Sequence, residues 1–540
     1  MLDPFGRLLE TLPGVHHLSH KRGNINSDEV VSTELGSSLK LVIDARSRTM
    51  YHERMKIQLV DEVHGNLPLD DDHPYRTGPW KPNTREFDAF DLDVIGQLPL
   101  DLNGVYLRNT ENPLHGAIGR YHPFDGDGML HSVSFDSGNV EYRNRYIRTD
   151  GFNAELESGT PLWAGLMENP QKSKRQGWGA RTGLKDSSST DVVVHRGRAT
   201  TSFYQCGDIY ELDPKTLHQL GKANWTKDVT PGWGVSAHTK VDPSSGEMLF
   251  FNYSKQNPYM HYGVVDSHGK LVHYVPIELP GPRLPHDMAF TENYAILNDL
   301  PLFWDPEALG HGAHAVRFFR DIPSRFAVIP RRGQVSDIRW FEAEPTYVLH
   351  WINAYEEGDE VILDGYAQDP SKAVSVDLPE NLIPYRMLDI HSVGARAYRW
   401  RFNMQTGSVS EQPLDDTISE FGMINPDVAG KPYQYVWEMT TKPGWFLFNG
   451  ITRLNVKTGE RQGYEFRPGV YASESPVIPA RTIDREDGGY VVTLISDMNE
   501  DSSSCLVFNA DDLPSGPIAS IKLPERICVG THSYWENASR

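Results

Sequence analysis

Imidazole is the side chain with the widest chemical reach in this sequence. The chain carries 21 histidines, each able to ligate a metal or to move a proton near neutral pH. Spacing alone singles out few of them. His311 and His314 form an HxxH pair, but they sit in a glycine-rich stretch and read first as solvated residues. Phe124-Asp125-Gly126-Asp127-Gly128 has the acid-and-glycine look of a calcium loop. It lacks the further oxygen ligands and the closing glutamate that such a loop needs, so it reads as a structural turn. A P-loop, a GxSxG elbow, an HExxH helix and a Rossmann fingerprint are all missing, which sets aside the chemistries they serve.

The elements that must position any site are short β-segments. Val192-Val-Val-His, Met248-Leu-Phe-Phe-Asn and Tyr490-Val-Val-Thr-Leu-Ile are examples, and helical periodicity is scarce after about His73. A turn signature recurs: an apolar strand end, then Asp or Asn, then a short polar turn, often with Gly. It stands at Phe135, Leu212, Val241, Val265, Phe402, Leu454 and Phe508. Asp and Asn suit such turns because they bond their own downstream backbone, and Gly supplies positive φ. Hairpins repeated over this length predict an all-β body built by radial repetition, a β-propeller, which protects strand edges. The first 72 residues read differently. Asp3-Pro4 opens a short amphipathic helix carrying Phe5, Leu8, Leu9 and Leu12, and Pro13-Gly14 stops it. Residues 1–14 are expected either to pack on the main body or to make peripheral contact with a membrane. The polar stretch from there to about Asp72 gives no further signal.

Composition narrows the partners. A hydrophobic fraction of 39% with 11% aromatic residues suits a globular protein with ample core. A formal net charge of −21 repels phosphate backbones, so nucleic acid is not an expected partner. Three scattered cysteines, Cys206, Cys505 and Cys528, suggest a reducing compartment. With no secretory leader and no apolar run approaching the roughly 18 residues of a membrane span, a cytoplasmic protein is expected.

Several blocks in fixed order carry a resemblance. Gly104-Val-Tyr-Leu-Arg-Asn-Thr-Glu-Asn-Pro, then FDGDGMLH from Phe124 and YRNRYIRT from Tyr142, resemble the carotenoid cleavage oxygenase family. STDVVVHRGR, YELDPKTL, SAHTKVDP, LPHDMAFTENY, LHWINAYEEGD and GTHSYW follow in the same order. The resemblance spans residues 73–540 and implies a seven-bladed propeller with an axial metal site, covered on one face by loops and short helices. It further implies Fe(II) held by His238, His286, His350 and His532, with carboxylates behind the imidazoles at Glu420 and Glu474. Four neutral imidazoles suit Fe(II), and such ligands need partners that fix their tautomers. The third family glutamate falls on Gln205, a departure that keeps an acceptor but removes a charge. Arg148 stands where the stilbene cleavers of the family tend to have Lys, which weakens a hydroxystilbene reading and marks Arg148 as a candidate substrate contact.

The activity so implied is oxidative cleavage of a C=C bond in an apolar conjugated substrate by molecular oxygen, giving two carbonyl products. A carotenoid or apocarotenoid is the first choice, with a stilbenoid or phenylpropenoid as the alternative. An isomerohydrolase and a non-catalytic binding propeller are the readings from other classes.

Overall fold

In a computed structural model, residues 31–34, 40–44 and 49–51 form strands, and residues 55–177, 183–312, 314–371, 378 and 380–538 are described throughout. The helix expected over residues 1–14 lies outside the described residues. Alternation along the strands shapes the body. Asn139–Tyr146 buries every second residue, while Met248–Tyr253, covered on both faces, is buried along its whole length. The recurrent turn signature does what its chemistry predicts. The turn at Ser137-Gly138 joins Met129–Asp136 to Asn139–Tyr146, and the one after Val241 joins Lys240–Val241 to Met248–Tyr253, with Asp242 accepting from the Ser244 amide.

Seven antiparallel sheets of four or more strands make up the seven blades, with a two-stranded ribbon, Leu302–Trp304 and Val316–Phe318, beside the fourth. Blades two to six run in simple chain order, and their innermost strands are Asp191–His195, Lys240–Val241, Ala289–Phe290, Tyr347–Glu357 and Ser419–Met423. The ring is closed twice. The C-terminal strand Ser533–Asn537 pairs with Gly104–Arg108 and is the innermost strand of blade one. The early strand Val94–Gly96 pairs with Ala519–Lys522 at the outside of blade seven. Each end of the chain thus completes the sheet begun by the other, and the ring has no free seam.

Four strands stand where the sequence shows no signal. Val31–Glu34, Lys40–Asp44, Thr49–Tyr51 and Lys56–Glu62 extend blade one outward through Arg85–Phe90. Helix, among the described residues, is confined to short pieces such as Asp150–Ser158, capped by Thr149 and ended at Gly159, and Ile390–Val393. Among the described residues no helix is long and apolar enough to cross a membrane.

Candidate metal centre

Around the axis, each blade places one polar side chain at or beside its innermost strand. In blade order from two to seven and back to one they are Asp191, His238, His286, His350, Glu420, Glu474 and His532, all of them buried. Local irregularities aim several of them. His238, just before Lys240–Val241, has φ +59, a left-handed conformation uncommon for a residue with a Cβ and frequent at functional sites. His350 lies on a bulge, because the pairing of Tyr347–Glu357 slips between Val348 and Trp351, and such a bulge re-aims a side chain. Gly365 on the facing strand must lack a side chain, since a Cβ there would collide with the Trp351 ring. A second slip follows Glu420, where Phe421 has φ +55.

Centroids of the imidazole rings lie 4.5 Å apart for His238 and His532, 4.7 Å for His238 and His286, 4.7 Å for His350 and His532 and 5.2 Å for His286 and His350. Three of the four rings are anchored through Nδ1. His238 Nδ1 lies 2.9 Å from Asp191 Oδ2, His350 Nδ1 2.7 Å from Glu420 Oε2, and His532 Nδ1 3.3 Å from Glu474 Oε1. Each carboxylate can accept a hydrogen bond from Nδ1–H, which in the neutral ring leaves the Nε2 lone pair for a ligand. Nε2 of His238 and of His286 approach to 3.0 Å, and Nε2 of His350 is buried with no protein partner. Potential donor atoms of His238, His286 and His350 fall within 4.8 Å of one another, as do those of Asp191, His238 and His532. Imidazole nitrogens gathered this closely fit a bound cation.

Charge is finely divided here. Burial, with repulsion from the neighbouring imidazoles, holds His238, His286 and His350 well below the ordinary histidine range, so all three are neutral donors. Burial would also lower His532, but the Glu474 carboxylate overrides it and pushes this imidazole up to about 9. Burial raises Glu420 to about 8 and Asp191 to about 6, each relieved in part by His532.

Two cavities meet at the imidazoles. One, of about 590 Å³, is the axial channel lined by the innermost strands and reached by His238, His350 and His532. The other, of about 10 Å³, is lined by Phe124, Tyr204, Leu349, Phe421 and Phe446 together with His286, His350 and His532. Glu111 also lines it, with Oε1 accepting from the Thr531 hydroxyl at 3.0 Å and Oε2 buried without a partner. The aromatic walls of this small cavity face three of the four imidazoles and enclose room for about one water molecule.

Other residues singled out in the sequence lie elsewhere or act differently. Gln205 is buried beside Tyr204, but its Nε2 has no partner, and no hydrogen bond joins it to an imidazole among the described residues. The Arg148 guanidinium is engaged by Asp61 at 3.0 Å and Glu86 at 3.1 Å and lies over the Phe152 ring; it lines neither cavity. His311 Nδ1 bonds the Glu307 carbonyl, and His314 packs on Trp304 against Lys255. In the FDGDG turn, Asp125 accepts from the Leu166 amide at 2.9 Å and Asp127 pairs with Lys185 at 3.0 Å, so both acids are spent on structure. Asp191 and Glu111 are the site residues that sequence reasoning missed.

Known proteins match this architecture over most of its length. The family model described as retinal pigment epithelial membrane protein matches residues 80–537. A carotenoid 9,10(9',10')-cleavage dioxygenase 1 of Arabidopsis thaliana is 32% identical over 522 residues, which cover 89% of this chain and 92% of that one. An isoeugenol monooxygenase of Pseudomonas nitroreducens is 28% identical, over 86% of this chain and 98% of its own. Among solved structures, the lignostilbene dioxygenase of Pseudomonas brassicacearum superposes with a TM-score of 0.77 at 26% identity, covering 88% of this chain and 100% of that one. With a seven-bladed body, four convergent imidazoles and relatives matched nearly end to end, the chain belongs to the family of the retinal pigment epithelial membrane protein and the carotenoid cleavage oxygenases.

Proposed function

We propose that this chain is an iron(II)-dependent dioxygenase that cleaves a carbon–carbon double bond of a carotenoid or apocarotenoid, giving two carbonyl products. The observation that carries the reading is the gathering of His238, His286, His350 and His532 at ring-centroid separations of 4.5 to 5.2 Å, with three of the rings anchored through Nδ1. His238, His286, His350 and His532 would hold the metal. When bound, iron(II) supplies the activation of dioxygen beside the alkene. Asp191, Glu420 and Glu474 fix the tautomers and orient the rings. Phe124, Tyr204, Leu349, Phe421 and Phe446 pack closely beside the imidazoles and would have to part to admit a conjugated chain.

The Arabidopsis relative, at 32% identity, supports the polyene. A short phenylpropenoid or stilbenoid is the second reading, supported by the isoeugenol monooxygenase and lignostilbene dioxygenase relatives. Incubation of the iron-loaded protein in air with an apocarotenal and, separately, with a hydroxystilbene decides between them. The polyene is expected to yield aldehydes that are absent when dioxygen is excluded. Turnover of the stilbene alone would reverse the order of substrates, and equal turnover without dioxygen would remove the dioxygenase reading.

Metal uptake is expected to release protons. In the metal-free protein His532 is raised to about 9, so it is protonated at pH 7 and must lose that proton before Nε2 can serve as a ligand. Apparent metal affinity therefore climbs by about tenfold per pH unit below about 9 and levels off above it. Calorimetric titration in two buffers of different ionisation heat should report about one proton released per metal at pH 7. A count of zero would show that Glu474 does not hold His532 charged.

A further inference from the structure

We propose that Asp191 is a positioning residue of the metal centre, the carboxylate that orients His238 and supplies the charge that Gln205 lacks. The inference rests on the metal-centre reading and extends it to a residue to which the resemblance assigns no role. Its first support is geometric. Asp191 Oδ2 lies 2.9 Å from His238 Nδ1, a shorter contact than the 3.3 Å between Glu474 and His532. The second is that Asp191 is built like Glu474. One oxygen of each faces an imidazole Nδ1 while the other accepts a backbone N–H: Ser533 N at 2.7 Å for Glu474, and Val192 N at 2.7 Å for Asp191. A carboxylate locked at both oxygens holds its imidazole in one orientation.

The third support is the order around the ring. Each carboxylate bonds an imidazole from an adjacent blade: blade six serves blade five, blade seven serves blade one, and Asp191 of blade two serves His238 of blade three. His286, in blade four, is flanked by histidines on both sides and makes no hydrogen bond to a carboxylate among the described residues. Gln205 also belongs to blade two, but it sits in the loop after Arg198–Ser202, with its amide nitrogen unpartnered. Three carboxylates therefore still stand behind the four imidazoles. The third has moved from the position the resemblance assigns it to the first residue of the neighbouring innermost strand.

The test compares wild type with Asp191→Ala, Asp191→Asn and Gln205→Ala. Fe(II) and Co(II) affinities are read by competition with a chromophoric chelator, and the cobalt ligand-field spectrum is recorded for each protein. Removing a partner behind a metal-bound imidazole typically costs about 10–100-fold in metal affinity. Asp191→Ala should show a loss of that size together with a shifted cobalt spectrum, while the melting temperature of the metal-free protein stays near that of wild type. Asp191→Asn, which keeps an acceptor, should lie between the two, and Gln205→Ala should change affinity by less than about threefold. Unchanged affinity and spectrum in Asp191→Ala would overturn the assignment, as would a larger loss in Gln205→Ala than in Asp191→Ala. Failure of wild type itself to bind either metal would bring down the metal-centre reading and this inference together, a result distinct from a wild type that binds and an Asp191 variant that binds equally.

Discussion

His350→Ala is expected to abolish both metal retention and turnover. His350 is buried, anchored by Glu420 at 2.7 Å, and presents an Nε2 with no protein partner. A residue that merely orients a ligand is worth about 10–100-fold in metal affinity, and deleting the ligand itself should cost more, at least about a hundredfold. Metal content measured after gel filtration should fall from about one iron per chain to a small fraction, with product formation lost in proportion. Retention of a full equivalent of iron by His350→Ala would show that the imidazoles are not the ligands. The variant also leaves Glu420 buried without the imidazole it serves. With its carboxyl already raised to about 8 by burial, Glu420 can take up a proton and stay neutral, so the fold is expected to survive.

Ending the chain after His532 is expected to be the most damaging change to stability. All four candidate ligands would remain, but the strand Ser533–Asn537 would be gone. That strand supplies the whole inner ladder of blade one against Gly104–Arg108, and its Trp535 is buried against Phe135 at a centroid distance of 5.7 Å. Loss of a buried Trp side chain alone costs about 3–5 kcal/mol, and five unpaired residues of Gly104–Arg108 would add to it. The truncated protein should aggregate on expression or melt well below the full chain. A melting temperature within a degree or two of the parent would mean that the first closure carries no load.

Much of the architecture could be read from local chemistry. The turns with Asp, Asn and Gly marked hairpins because those residues fix backbone geometry over four or five positions, and the structure has a hairpin at Ser137-Gly138 and another after Val241. The candidate ligands were reached through motif resemblance, because four histidines taken from 21 cannot be chosen by spacing when the blades that bring them together are tens of residues apart. Asp191 escaped notice for the same reason. In STDVVVH it reads as the polar start of a buried strand, and its partner His238 lies 47 residues on, across a blade boundary that no local pattern encodes. The strands from Val31 to Glu62 were invisible because that stretch is polar, without alternation strong enough to count. Arg148 shows the converse. Its place in a family motif suggested substrate contact, while Asp61 and Glu86, one of them in that unread stretch, hold its guanidinium.

His532 directly precedes the final strand, and the first strand to receive that segment was laid down more than four hundred residues earlier. A growing polypeptide can fold blades two to six in sequence and already present three imidazoles. It cannot hold the fourth in place until residues 532–537 have been made and Ser533–Asn537 has docked on Gly104–Arg108. With the proposed metal centre, loading would thus become a certificate of ring closure, granted only to molecules in which these two strands have met. A chain stopped before His532, or one whose last strand fails to dock, would lack the full set of imidazoles in place.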